Sequence, residues 1–258
     1  MSRPSLPSSP RDPSVAGVIA WEICSLEFPA IFREMREKQT PIVFIDRHPA
    51  IDEEVDVVSV NHARAAKMAV QALLKLGHER IAMALSDDQA SSIYERIQGY
   101  RQALWEADLS SREAYLFRVC GDDASEIHAS AVKELKRILG EPDPPTAIFA
   151  VNDLLALHLL EAAKHLGVEV PGRLSIIGFD WLMRWQPSGG HLTTVSQPFE
   201  EIGRAAAQRL LEIVRSAVRP AARHILLGAA VVVKDTTAAP RETTPAKTGA
   251  TTNGGNHV

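Results

Sequence analysis

The sequence predicts an α/β protein whose parallel β-sheets are covered by helices on both faces, and three observations predict it. Short runs rich in Val, Ile and Phe show almost no polar alternation, as strands buried on both sides do. Each run is followed by a longer stretch with apolar residues at three- and four-residue steps, the period of an amphipathic helix. The alternation of the two recurs through most of the 258 residues, the pattern of strand–helix–strand units. With 45% hydrophobic and 23% charged residues there is enough apolar surface for a core of this kind.

Val15–Ala20 is the first strand and PIVFID, Pro41–Asp46, the second; between them Phe28, Ile31, Phe32 and Met35 mark a helix. Val57–Val60 is a short third strand. The helix after it carries Ala66, Ala69, Val70, Leu73 and Leu74 and stops at Gly77, with Asn61 placed to accept a free first-turn N–H as its cap. Ile81–Leu85 follows, then a helix with Ile93, Ile97, Tyr100, Leu104 and Ala107 on one face. The same alternation continues with strand Leu116–Val119, helix Ile127–Leu139, strand Thr146–Val151, helix Asp153–His165 closed by Gly167, and the buried strand LSIIGF, Leu174–Phe179. A long helix over Phe199–Val218 and a closing strand, Val231–Lys234, complete the pattern. Residues 1–14, with four prolines and little to bury, form a disordered lead-in. From about Thr236 the chain turns to Thr, Ala, Pro, Gly and Asn, and 239–258 is expected to be a flexible tail.

Charge and cysteine content narrow the function. Lys and Arg number 28 against 32 Asp and Glu, a net charge of −4, which argues against a chain that grips DNA or an anionic membrane unaided. Two distant cysteines, Cys24 and Cys120, rule out a disulfide scaffold, and no apolar stretch is long enough to span a membrane. The N-terminus has no secretory pattern, so a cytoplasmic location is expected. No phosphate loop, dinucleotide turn, nucleophile elbow or H-E-x-x-H helix occurs, so an enzyme is not expected. The histidines are scattered along the sequence, and neither a metal nor a cofactor is expected; His78, directly after Gly77, reads as a helix-end residue and not a base.

In a parallel sheet ligands bind at the carboxyl ends of the strands. PIVFID ends in Asp46, with Arg47 and His48 behind it; TAIFAV ends in Asn152 and Asp153; LSIIGF ends in Asp180 and Trp181. Ile81–Leu85 leads through Ser86, Asp87 and Asp88 toward Arg96. Carboxylates, an arginine, an amide and aromatics are what a polyhydroxylated ligand needs: hydroxyls donate to carboxylates and accept from Arg, and an aromatic face covers the ring. Structural readings stand beside these. Asp153 equally suits the positive end of its helix, Asn152 suits a cap, and Arg96 suits an ordinary surface ion pair. Asp180 is harder to explain structurally, because a buried carboxylate is costly unless paired.

The segments PIVFIDRH, LLKLGHERIAMAL, SSIYERIQGYRQAL, AIFAVNDLLALHLLEAAKHLGVEVPGRLSIIGFD and HLTTVSQPFEEIGRAAAQRLL, in this order, resemble the LacI/GalR transcription regulators over roughly residues 15–238. More narrowly, the chain resembles their effector-binding domain, a two-lobed, periplasmic-binding-protein-like fold. The resemblance implies effector contacts from Asp46, Arg96, Asn152 and Asp180, with Phe199 packing at the cleft and Asp122 or Asp123 at its rim. It implies a sugar-like or nucleobase-like effector, a homodimer in the full-length family, and operator DNA bound only through a helix-turn-helix that this sequence lacks.

Against the family's pattern the sequence enters at the third strand, so an incomplete N-terminal lobe with an unpaired strand edge is expected. Asn61, Trp181 and Ser86–Asp87 depart from common family residues, which bears on which effector fits. The implied lobes are 15–79 plus 197–218 and 80–196 plus 219–238. A stand-alone sugar-binding protein of a transport system is the alternative function.

Overall fold

The computed structural model describes residues 15–21, 28–48, 54–88, 90–109, 115–180 and 190–241. The expectations for the lead-in 1–14, for 242–258, and for Cys24 and Trp181 lie outside the described residues. Within them the chain forms two sheets, of four and six strands.

The smaller sheet has the order β1-β2-β3-β9, all parallel: β1 (Val18–Ala20), β2 (Ile42–Ile45), β3 (Asp56–Val60) and β9 (His224–Leu227). Its strand side chains alternate between two helices. Ile42, Phe44 and Val57 pack with Phe32 and Met35 of α1 (Phe28–Glu37), the Phe32 and Phe44 rings lying 5.7 Å apart. Val43, Val58 and Val60 join the core that holds Ile202, Ala206 and Ile213 of α6 (Phe199–Arg215), a helix packed across all four strands. β2 reads as a continuous apolar run, and β3 is buried along its whole length, because both faces are covered. Among the described residues β1 lies at the end of the sheet order, paired only with β2.

Deep in this layer Arg209 of α6 donates through Nε to Asp56 Oδ1 at 2.6 Å, and through Nη2 to the Ala221 carbonyl. Asp56 Oδ1 also accepts from the Arg223 N–H at 3.0 Å, so one buried ion pair fastens α6, β3 and the lead into β9 together.

The larger sheet has the order β10-β8-β7-β6-β4-β5, parallel except for β10 (Ala230–Val232), which runs antiparallel to β8 (Thr193–Ser196). β4 (Ile81–Leu85), β5 (Leu116–Arg118), β6 (Ala147–Ala150) and β7 (Ser175–Asp180) complete it. The helices around it are α2 (His62–Lys75), α3 (Ser91–Glu106), α4 (Ala124–Leu139) and α5 (Asp153–His165). Asn61 caps α2 as its sequence position predicts, accepting from Arg64 N at 2.8 Å. α2 and α3 pack face to face at Gly99, where a Cβ would stand 2.0 Å from the Ala63 carbonyl oxygen, so the approach requires glycine.

Two segments take different sheet partners from the division expected by sequence. α2 packs on β6, β8 and β10 of the larger sheet, so the chain first changes sheets at Asn61 and not after Gly77. β9, not foreseen as a strand, pairs with β3 in the smaller sheet, which moves the last change from 218 to the Gly228–Ala229 link before β10. The middle change falls between β8 and α6, at Gln197–Pro198. The tail also begins later than its composition suggests. Thr236 is buried, donating to the Ile176 carbonyl at 2.6 Å and accepting from Thr193 N at 3.0 Å. Ala238 bonds Ser175 and His78, and Arg241 pairs with both oxygens of Glu169 at 3.0 and 3.2 Å. A polar run has little apolar surface to bury, but here its hydroxyls and backbone extend the hydrogen bonding of β7 and β8.

Candidate functional site

Strand ends of the two sheets meet at a polar cluster. From the smaller sheet comes Asp46, directly after β2; from the larger come Asp180, the last residue of β7, and Arg96 of α3. Both aspartates hold positive φ, +65° and +121°, a conformation that L-residues other than glycine rarely adopt. Strain of this sort persists where the surroundings over-determine a side chain's position, and it gathers at binding sites.

Arg96 is the centre of the cluster and only 3% exposed. Its guanidinium lies over the Phe179 ring, 3.7 Å from the centroid, which supplies a cation–π contact in place of water. Nη1 donates to the Val151 carbonyl at 2.6 Å, Nε to His62 Nδ1 at 3.4 Å and Nη2 to Asp180 Oδ1 at 3.2 Å, while Asp46 Oδ1 stands 3.9 Å from Nη2. The surface-pair reading of Arg96 is therefore set aside.

His62 is the first residue of α2, at the point where the chain changes sheets. Its Nε2 donates to the Asp46 carbonyl at 2.8 Å, which leaves Nδ1 to accept from Arg96. That arrangement fits a neutral ring, and burial together with the neighbouring Arg96 lowers the His62 pKa from 6.5 to about 4. Gln197, at the middle crossing, donates through Nε2 to Asp46 Oδ1 at 3.2 Å and to Asp180 Oδ1 at 2.9 Å, so one amide bridges both sheets. Its Oε1 is buried with no hydrogen-bond partner among the described residues.

Two carboxylates thus share one arginine, and their environments push them apart. Burial raises the Asp180 pKa, against the pull of Arg96. Burial acts the same way on Asp46, but Arg96 and the hydrogen bonds from Gln197 and Trp21, among other contacts, outweigh it and hold its pKa below the ordinary value. Trp21, just beyond β1, donates through Nε1 to Asp46 Oδ2 at 3.2 Å, and the Arg47 guanidinium lies 4.9 Å from the Trp21 ring centroid. Arg47 then reaches across to Asp88 beyond β4, Nη1 to Oδ2 at 2.6 Å, and His48 N donates to Ser91 Oγ at the start of α3. An exposed indole face (Trp21 is 56% exposed), carboxylates, a guanidinium and a buried free carbonyl oxygen are together suited to a ring bearing hydroxyl groups.

Of the five residues singled out from sequence, Asp46, Arg96 and Asp180 are brought together here. Asn152 lies beside them, next to the Val151 carbonyl that anchors Arg96, and its side-chain oxygen caps α5 by accepting from Leu155 N at 2.8 Å. Phe199 opens α6 two residues after Gln197 and is 41% exposed, in a shallow depression with Pro198, Glu201 and Arg204. Asp123 is the N-cap of α4, accepting from Ser125 N and Glu126 N. Asp153 is structural: fully buried, it accepts from Thr194 Oγ1 at 2.5 Å and sits under Gly178, whose Cβ would fall 2.3 Å from its Oδ1. His78 is buried and clasped by Thr146 Oγ1, Ser175 Oγ and the Ala238 carbonyl, a structural post at the opposite ends of the strands. Sequence reasoning missed His62, Gln197 and Trp21. Trp21 carried a signal, since it follows a strand directly; His62 and Gln197 did not, because nothing local shows where a chain changes sheets.

Two parallel sheets linked by three crossings, with a polar cluster drawn from both, define a ligand-binding domain of the two-sheet class. Residues 70–237 match the family model described as "Periplasmic binding protein-like domain". The chain is 33% identical over 224 residues to the HTH-type transcriptional regulator DegA of Bacillus subtilis, covering 86% of this chain and 64% of that protein. It is 36% identical over 187 residues to the HTH-type transcriptional repressor CytR of Escherichia coli, covering 72% of this chain and 53% of that protein. Among solved structures, the complex of the transcriptional regulator CelR with cellobiose superposes with a TM-score of 0.74 at 26% identity, covering 86% of this chain and 66% of that one. The chain belongs to the periplasmic-binding-protein-like domain family, in the form of the LacI-type effector-binding domain. It spans between about half and two thirds of the length of these curated relatives. Among the described residues no helix is long and apolar enough to cross a membrane.

Proposed function

We propose that this chain senses a small effector for a LacI-type transcription regulator, binding a sugar-like or nucleobase-like molecule between two lobes built on the two sheets. The observation that carries the reading is the buried Arg96, held between Asp180 of the larger sheet and Asp46 of the smaller with Gln197 bridging both. In this reading Asp46 and Asp180 accept hydroxyl protons from the ligand, Arg96 donates to its oxygens, and the buried Gln197 carbonyl accepts the hydrogen bond it lacks. Asn152 and Phe199 complete the contacts at the rim. CelR, whose complex with cellobiose shares the fold, supports a carbohydrate as the first class to try.

The cluster links the sheets directly, so a ligand replacing these bonds alters how the lobes are held. Coupling of that kind between effector and operator sites is typically about 1–3 kcal/mol. Operator DNA is reached, on this reading, through a helix-turn-helix, with a homodimer as the acting form. The role is binding and not turnover, in the cytoplasm. A thermal-shift screen against pentoses, hexoses, disaccharides, nucleosides and purines tests it. A ligand at a hundred times its Kd adds about 2.7 kcal/mol to stability. A hit abolished by Arg96→Ala and by Asp180→Asn supports the site; a hit that survives both substitutions refutes it.

A further inference from the structure

The scattered histidines do not stay scattered once the chain folds. His158, Glu161 and His165 recur at i, i+3 and i+7, so all three lie along one face of α5. α4 packs against that helix and brings His128 to the same place. A ligand atom from each of His128, His158 and Glu161 lies within 4.8 Å of the other two. The His128 and His165 rings meet edge to face at 6.0 Å, and His128 Nδ1 stands 3.9 Å from Glu161 Oε2. The Nδ1 atoms of His128 and of His158 are both shielded from solvent, and neither has a hydrogen-bond partner among the described residues.

Two shielded imidazole nitrogens with nothing to bond are costly in an isolated fold, and an electron-pair acceptor would satisfy both. We propose that this α4–α5 face binds a divalent transition-metal ion of the zinc type through His128, His158 and Glu161, with His165 or water as the fourth ligand. The donor set selects the metal class, because imidazoles with one carboxylate suit zinc, nickel or copper, whereas magnesium and calcium require oxygen ligands. Donors around a tetrahedral zinc at about 2.1 Å stand roughly 3.4 Å apart, inside the 4.8 Å within which these three now lie. The site lies on helices away from the strand-end cluster, and its occupant would tie α4 to α5.

The test is a titration of zinc chloride into the tag-free, chelator-treated 258-residue chain, read against a competing chromophoric zinc chelator. The expected result is one zinc per chain, weakened by more than about tenfold in His128→Gln and in His158→Gln, with magnesium failing to compete. Cobalt(II) in place of zinc should give the strong visible absorption of a four-coordinate site, lost in the same variants. Glu161→Gln lies on exposed helix surface and gives a reading even where a histidine variant fails to fold. Absence of stoichiometric zinc binding overturns the proposal, as does binding left unchanged by Glu161→Gln and by whichever histidine variant folds.

Discussion

His62 gives the clearest quantitative handle on the strand-end cluster. In the folded chain its pKa falls from 6.5 to about 4, through burial and the neighbouring Arg96. The unfolded chain therefore binds a proton that the folded chain refuses between those two values, and stability drops as pH falls from 6.5 toward 4. A shift of this size corresponds to roughly 3 kcal/mol in total, of which about 2 kcal/mol is lost between about pH 7.5 and about pH 5. Glutamine at this position can donate to the Asp46 carbonyl and accept from Arg96 without titrating. Urea unfolding of the parent and of His62→Gln at both pH values isolates the residue's share. Asp180, whose pKa is raised, contributes with the opposite sign, gaining stability as pH falls; Asp46, whose pKa is lowered, loses it only below the ordinary carboxylate range. The Asp180 term is common to parent and variant and cancels in the difference, and Asp46, held below its ordinary value, does not titrate across the interval. The parent should lose about 2 kcal/mol more than His62→Gln over this interval. Equal losses in the two proteins would refute the neutral, buried His62.

Three further outcomes follow from packing. Arg209→Met leaves Asp56 buried without its cation and should cost about 3–5 kcal/mol in denaturant unfolding, much of it recovered when Asp56→Asn is added. Gly99→Ala drives a methyl into the Ala63 carbonyl and should cost about 1–3 kcal/mol, read as a lowered thermal midpoint, since α2 and α3 must move apart. Thr194→Val removes a hydroxyl donor from the fully buried Asp153 and should cost about 1–3 kcal/mol, measured by urea unfolding.

Much of this architecture is legible locally, and what is not has a common cause. β4 and β6 of the larger sheet are visible because each is apolar throughout, whereas β8, Thr193–Ser196, escapes notice because three of its four residues are polar; the rule that ligands gather at strand carboxyl ends picks out Asp46, Arg96 and Asp180 before any geometry is known. β9 escapes notice because it is four residues long, at an edge, with its exposure alternating along the strand. The partner sheet of α2 escapes because the helix's apolar stripe records only that it packs, not against what. Asn152 and Asp153 show the same limit from the other side. Both admit a structural and a functional reading, and only the bonds to Leu155 N and Thr194 Oγ1 show that Asn152 caps α5 and that Asp153 is a buried strut. His62 and Gln197 owe their positions to long-range crossings, and the His128–His158–Glu161 group to the packing of two helices.

The central claim is that the effector sits where the two sheets meet. Hydrogen–deuterium exchange with and without a ligand from the thermal-shift screen tests it most directly. Simultaneous protection is expected at Asp46–His48 after β2, at Phe179–Asp180 of β7 and at Gln197–Phe199, since the ligand would touch all three. Protection confined to the strand ends of one sheet, or found elsewhere, would contradict it.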